Sequence, residues 1–146
     1  MDWMGQTQHK RMVLESRLAI VAEVQETVGE ALMACGHGDD ACFAVRLALD
    51  EALANAIRHG NGGDPAKHVV VSYQITADRV EISICDEGGG FVPATVPDPT
   101  LPQNLCKPNG RGIMLMRAYM SSVQYNDDGN CVKLVMGPDR LAVERR

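Results

Sequence analysis

Two neighbouring segments alternate between apolar and polar residues. Val69, Val71, Tyr73 and Ile75 keep one parity, and Val80, Ile82 and Ile84 repeat it after an Ala77-Asp78 turn. Strand side chains point alternately to opposite faces, so each segment predicts a strand with one covered and one wet face. One-sided strands of this kind pair antiparallel, and the covered face needs a second layer. Two helical runs upstream supply it. The first is read as capped by Ser16, with Leu18, Val21, Val24, Val28, Ala31, Leu32 and Cys35 on one face and Gly36-His37-Gly38 ending it. The second opens at Asp39 or Asp40, carries Cys42, Val45, Leu49, Leu53, Ala56 and Ile57, and stops at Gly60-Asn61-Gly62-Gly63-Asp64-Pro65.

The remaining segments complete a two-layer plan. Lys10 to Glu15 is a short alternating segment, with Met12 and Leu14 on one side, and reads as an edge strand; Ile113 to Met120 reads as a short helix opened by Gly110-Arg111-Gly112. Val123 to Tyr125 and Cys131 to Met136 read as a closing hairpin around Asp127-Asp128-Gly129-Asn130. Val92 to Asn109 holds five of the seven prolines and no usable periodicity, the pattern of a mobile functional lid. A charged tail from Gly137 is expected to fray. The order β-α-α-β-β-α-β-β predicts a two-layer α+β sandwich, a mainly antiparallel sheet with helices on one face. At 146 residues the chain is expected to form one domain over 1–146.

Composition removes several functions. Acidic residues outnumber basic ones 19 to 14, for a formal charge of -5, against the basic surface that duplex nucleic acid demands. Aromatics at 4% are too few for a single-strand stacking platform. No window has the length of apolar sequence needed to span a bilayer, and Met1 to Lys10 lacks the apolar region of a secretory signal, so a cytoplasmic protein is expected. The five cysteines (Cys35, Cys42, Cys85, Cys106, Cys131) are odd in number and never spaced C-x-x-C, which predicts reduced thiols. Cys35-x-His37 followed by Cys42 matches no zinc spacing.

Three places carry chemistry. Glu51, Asn55 and His59 stand four apart on the second helix. At about 100° per residue, four positions advance only about 40°, so the three share a stripe at the margin of the core. On this helix alone the plainer reading is a solvated face that suits the helix dipole. Asp86 continues the parity of Ile82 and Ile84, which aims a carboxylate at the covered face. Burying it costs several kcal/mol unless something pairs with it. Gly88, Gly89 and Gly90 follow, where backbone can approach a ligand closely, although an Asp-Gly turn leaving a strand is the simpler account. Gly110-Arg111-Gly112 opens a helix whose free amides suit an anion, with Lys107 adding positive charge. Neither G-x-x-x-x-G-K-[ST] nor G-x-G-x-x-G is present, and neither are H-R-D, D-F-G or H-E-x-x-H.

Together these segments resemble a known family. Glu51-x-x-x-Asn55-x-x-x-His59-Gly60 resembles the N-box of the GHKL ATPases, which include gyrase, Hsp90, MutL and the histidine kinases. Asp86-x-Gly88-x-Gly90-Phe91 is similar to their first glycine box, and Gly110-Arg111-Gly112-Ile113 to their second. The resemblance runs from Lys10 to Met136, with the proline-rich lid at about 92–109 between the glycine boxes. At this size, with no phosphoacceptor helix pair, the chain most resembles the anti-sigma-factor serine/threonine protein kinases.

That resemblance implies the Bergerat fold of histidine-kinase-like ATPases, with ATP and Mg²⁺ as the bound groups. It implies that Asp86 accepts a hydrogen bond from the adenine amino group and that Asn55 gives its side-chain oxygen to magnesium. Glu51 would orient or deprotonate the attacking hydroxyl. Gly88, Gly90, Lys107, Gly110, Arg111 and Gly112 would bind the nucleotide, and His59 would serve the helix end. Some kinases of this type carry an arginine before the second glycine box. Here Pro108-Asn109 stand there, and Lys107 is the nearest cation. The implied function is an anti-sigma regulator that phosphorylates a STAS-type anti-anti-sigma antagonist and sequesters a sigma factor. Direct nucleic-acid or membrane contact is not implied, and there is room for a homodimer. The alternative is a nucleotide-gated interaction module without turnover, working in the same partner-switching logic.

Overall fold

The computed structural model describes residues 7–88 and 120–138. Five strands and two helices are present among them: β1 (Gln8–Glu15), α1 (Ile20–Ala34), α2 (Asp39–Asn55), β2 (His68–Ile75), β3 (Val80–Asp86), β4 (Ser122–Tyr125) and β5 (Cys131–Met136). A single π-helical turn, Ala56–Gly60, extends α2. The strands form one sheet in the order β1-β2-β3-β5-β4, and every pairing is antiparallel. β1 lies at an edge, as expected of the short 10–15 segment.

Register turns the alternation into one continuous inner face. Met12 pairs with Val71, Val71 with Ile84, and Ile84 with Val132. This row is buried together with Val69, Ile75, Val80, Ile82 and Leu134. Val24, Val28 and Leu32 of α1 and Val45, Leu49 and Leu53 of α2 belong to the same core. The opposite parity, which includes Ser72, Gln74, Ser83 and Gln124, is half-buried or exposed apart from Val135. The two-layer α+β arrangement follows directly.

Several local expectations are corrected. Ser16 does not cap α1, which begins at Ile20. Instead Ser16 is buried, its N–H donates to the Lys67 carbonyl and its Oγ accepts from Asn61 Nδ2 at 3.0 Å. Leu18 therefore lies ahead of the helix and is 53% exposed. The C-terminus of α1 behaves as expected: Gly36 takes φ 83°, and the N–H of His37 reaches back to the Leu32 carbonyl.

The cysteines divide. Cys35 is a buried thiol outside any disulfide, donating to the Ile75 carbonyl at 3.3 Å, and desolvation raises its pKa. Cys85 and Cys131 are joined in a disulfide between paired strands, contrary to the expectation of reduced thiols throughout. A link spanning 46 residues has no signature in local spacing, because only the register brings the two together. The lid at 92–109 lies outside the described residues, as do the 113–120 helix except Met120 and the tail beyond its first two residues. No described helix is long and apolar enough to cross a membrane.

Candidate functional site

β3 carries its apolar row to Ile84 and then places Asp86 at the same parity, half-buried where the strand ends. Its backbone N–H donates to the Asn130 carbonyl at 2.8 Å, which ties the strand end to the β4–β5 hairpin. The carboxylate Oδ1 accepts from the Gly88 N–H at 2.9 Å. Burial pushes the Asp86 carboxyl above its ordinary range, while the Gly88 amide and the charge of Lys67 pull it down. Protein hydrogen bonds leave this carboxylate with accepting capacity, and it faces a cavity.

That cavity, about 10 Å³, is lined by Ala52, Asn55, Ala56, Asp86, Tyr125 and Asn130, with Ile84 and Val132 behind. The fold thus brings Asn55 of α2 and Asp86 of β3 to one site across 31 residues of sequence (86 − 55). Glu51 is half-buried one turn earlier on α2 and is not part of the cavity wall. His59 departs from the expected stripe. It sits in the π turn and is exposed, because a wider turn breaks the helical arithmetic that predicted a shared face. Of the nucleotide-site residues expected from sequence, Gly90, Lys107, Gly110, Arg111 and Gly112 lie outside the described residues.

Two residues that sequence analysis treated as a helix stop prove central. Gly60 packs on Asp86 so closely that a β-carbon there would overlap the carboxylate. A β-carbon on Gly88 would overlap the Gly60 carbonyl. Both glycines are required by close approach, and the π turn sets it: the Asn61 N–H donates to the Ala56 carbonyl at 2.8 Å, five residues back. Asn61 itself is 1% exposed and donates from Nδ2 to Ser16 Oγ and to the His68 carbonyl, both at 3.0 Å. Its Oδ1 accepts from the Glu87 N–H at 2.8 Å. The backbone N–H of His68 also donates to the Glu87 carboxylate. The turn after the helix therefore clamps the Asp86-Glu87-Gly88 segment in place. An asparagine between glycines gives no local hint of such distant partners.

The sequence matches the family described as histidine kinase-like ATPase domain over residues 14–136, which spans α1, α2 and all but the first part of the sheet. The chain belongs to that family. The three segments that resemble the family's boxes, 51–60, 86–91 and 110–113, fall within the matched span. The family is consistent with the sheet observed, five antiparallel strands with helices on one face.

The chain is similar to proteins named as serine-protein kinases and as an anti-sigma factor. It is 26% identical over 140 residues to the serine-protein kinase RsbW of Bacillus mycoides, covering 91% of this chain and 87% of that one. It is 23% identical over 141 residues to the anti-sigma F factor of Clostridium perfringens, covering 93% and 91%. A shorter match, 33% over 86 residues, joins it to the serine/threonine-protein kinase BtrW of Bordetella bronchiseptica, over 57% of this chain and 60% of the relative. The crystal structure of the RsbU and RsbW domains of a Mycobacterium tuberculosis protein superposes with a TM-score of 0.61 at 17% identity. That match covers 88% of this chain and 31% of the other, and it shows a shared fold.

Proposed function

We propose that this histidine kinase-like ATPase domain binds ATP and transfers its γ-phosphoryl group to a serine or threonine of an anti-anti-sigma antagonist. In its nucleotide-bound state it sequesters a sigma factor. The observation that carries the reading is Asp86, a carboxylate held half-buried at the end of an apolar row and facing a cavity shared with Asn55. A carboxylate there accepts from the adenine amino group and repels the guanine carbonyl. Gly60 and Gly88 leave the carboxylate room where any side chain would fill it.

The donor set suits a hard cation that is held mostly by phosphate and water oxygens. The described residues contain no cluster of three His, Cys, Asp or Glu side chains able to hold a metal unaided. Asn55 offers one amide oxygen at the cavity, which fits magnesium arriving with the triphosphate. Bound there, the ion would neutralise phosphate charge. Glu51, one turn earlier, takes the proton of the attacking hydroxyl as the phosphorus–oxygen bond forms and ADP departs. Lys107 and the amides of Gly110, Arg111 and Gly112 bind the phosphates, and Gly88 and Gly90 belong to the nucleotide site. The anti-sigma and serine-kinase names of the relatives support these partners and this chemistry.

A second reading, a nucleotide-gated interaction module without turnover, is favoured by one sequence observation. Pro108-Asn109 stand where some kinases of this type carry an arginine. Calorimetric titration with ATP and GTP, followed by single-turnover transfer to a candidate antagonist, decides between them. The expected result is ATP preferred over GTP by roughly 10² and transfer to the antagonist. Equal affinities would remove the adenine assignment. Tight ATP binding without transfer would favour the second reading. Asp86→Ala is expected to cost about 1.5–3 kcal/mol of binding, the worth of a hydrogen bond to a charged group.

A further inference from the structure

We infer that Cys85 and Cys131 form a reversible redox clamp, a modification site that controls access to the Asp86 cavity. The two residues are direct cross-strand partners of β3 and β5, with Cα atoms 4.0 Å apart. Their neighbours Asp86 and Asn130 form the hydrogen-bonded pair of the ladder, through the Asp86 N–H and the Asn130 carbonyl. In an antiparallel ladder the next pair along is therefore non-hydrogen-bonded, where side chains lie closest. The folded sheet presents the two sulfurs to each other and needs no rearrangement to bring them together. Both lie on the parity opposite Ile84 and Asp86, on the outer face, and both are only half-buried. Small thiol reagents can reach them.

The chemistry balances with a low-molecular-weight disulfide, such as oxidised glutathione, as oxidant. One cysteine thiolate attacks it and releases one glutathione thiol; the second cysteine attacks the mixed disulfide and releases the other. Two protein thiols lose two electrons and two protons, and the small disulfide becomes two thiols. A dithiol reverses the sequence.

The consequence for the site lies in which elements wall it. Tyr125, Asn130 and Val132 all belong to the β4–β5 hairpin, and with the disulfide closed the cavity has room for about one water molecule. A purine needs far more room than this; the hairpin supplies three of the eight lining residues, and its movement away from α2 is the opening that the disulfide can oppose. That motion loosens the Asp86–Asn130 pair, the pair next to the covalent link. The disulfide holds the hairpin in; the dithiol lets it move. Oxidation therefore weakens nucleotide binding and reduction restores it. The nucleotide half of this inference rests on Asp86 being the adenine site.

The test uses the full chain in two states, reduced with dithiothreitol and oxidised with oxidised glutathione, with peptide mass mapping to verify the Cys85–Cys131 link. Two readouts are taken: amide hydrogen exchange at Asp86, and calorimetric titration with ATP. The expected result is slower exchange and at least about five-fold weaker ATP affinity in the oxidised state, the lower end of ordinary coupling between sites. A Cys85→Ser/Cys131→Ser variant should bind like the reduced protein and ignore the oxidant. The wild-type comparison stands without it should that variant fail to fold. Failure of the link to form, or ATP affinities within two-fold in the two verified states, would overturn the inference. Redox-dependent exchange with no ATP bound in either state would keep the clamp and remove Asp86 as a nucleotide site.

Discussion

The two ends of β3 follow the same rule to opposite ends. Val80, Ile82 and Ile84 are sealed into the core, and Asp86, two positions further at the same parity, is a half-buried carboxylate facing a cavity. α2 shows the same contrast. Leu49 and Leu53 are sealed, then Asn55 opens on the cavity and the helix widens into a π turn. Sheet and helix switch from packing to polar groups at the same level. What differs is the solvent cost: the apolar end stabilises the fold, whereas the polar end gives up stability to hold groups that a ligand can pair with.

The strongest way to sharpen that contrast is to separate chemistry from affinity. Glu51→Gln keeps size and hydrogen-bonding capacity but cannot accept a proton. Single-turnover transfer should fall by roughly 10²–10⁴ while ATP affinity stays within a few-fold. Wild-type transfer by this variant would leave Glu51 without a role as base. Next, Ile82→Ala at the sealed end should cost about 2–5 kcal/mol in denaturant unfolding, as large-to-small core changes do. Asp86→Ala should cost far less, since it also removes a desolvated charge; an equal loss at both sites would erase the distinction between the two ends. Gly60→Ala probes the seam. Its β-carbon displaces the Asp86 carboxylate, so ATP binding should fall by more than thermal stability does.

The smallest expected effect is a pH dependence with opposite signs on the two faces. Burial raises the folded-state pKa of Asp86, so the native protein holds this proton more tightly than the unfolded chain does. Stability from this group is present below its unfolded pKa and is lost as pH rises through the folded value. Glu81, on the outer face, is lowered chiefly by a hydrogen bond from Lys133, at 2.8 Å, with Arg79 adding to it. Its small stabilisation is present above its unfolded pKa and lost as pH falls through the folded value. Asp86→Asn should remove the first slope from unfolding free energies measured across the acid range, and Glu81→Gln the second.

What could be read from sequence follows the range of the interactions. Period-two alternation located β2 and β3 and gave Asp86 its face, because strand parity is a local property. The hairpin turn was legible in Asp127-Asp128-Gly129-Asn130, where Gly129 takes φ 72°. Ser16 misled because its hydroxyl answers Asn61, 45 positions away, rather than its own helix. His59 misled because a π turn follows Ala-rich sequence that reads as ordinary helix. The contact of Gly60 with Asp86 and the Cys85–Cys131 pairing were legible only once the tertiary arrangement was known.

Asn61 has a kinetic consequence. Its side chain joins the segment before α1, the start of β2 and the residue after Asp86, at sequence separations of 45, 7 and 26. Closing such loops is entropically costly, so these bonds reward the chain only after β1, β2 and β3 have already met. The order of events is fixed by that cost. A chain still finding its sheet has the apolar contacts of the sealed end but nothing to hold Asp86, Glu87 and Gly88 in line. Nucleotide-binding competence should therefore emerge as the last step of refolding, and a newly made molecule would meet its ligand only after the sheet around the site is complete.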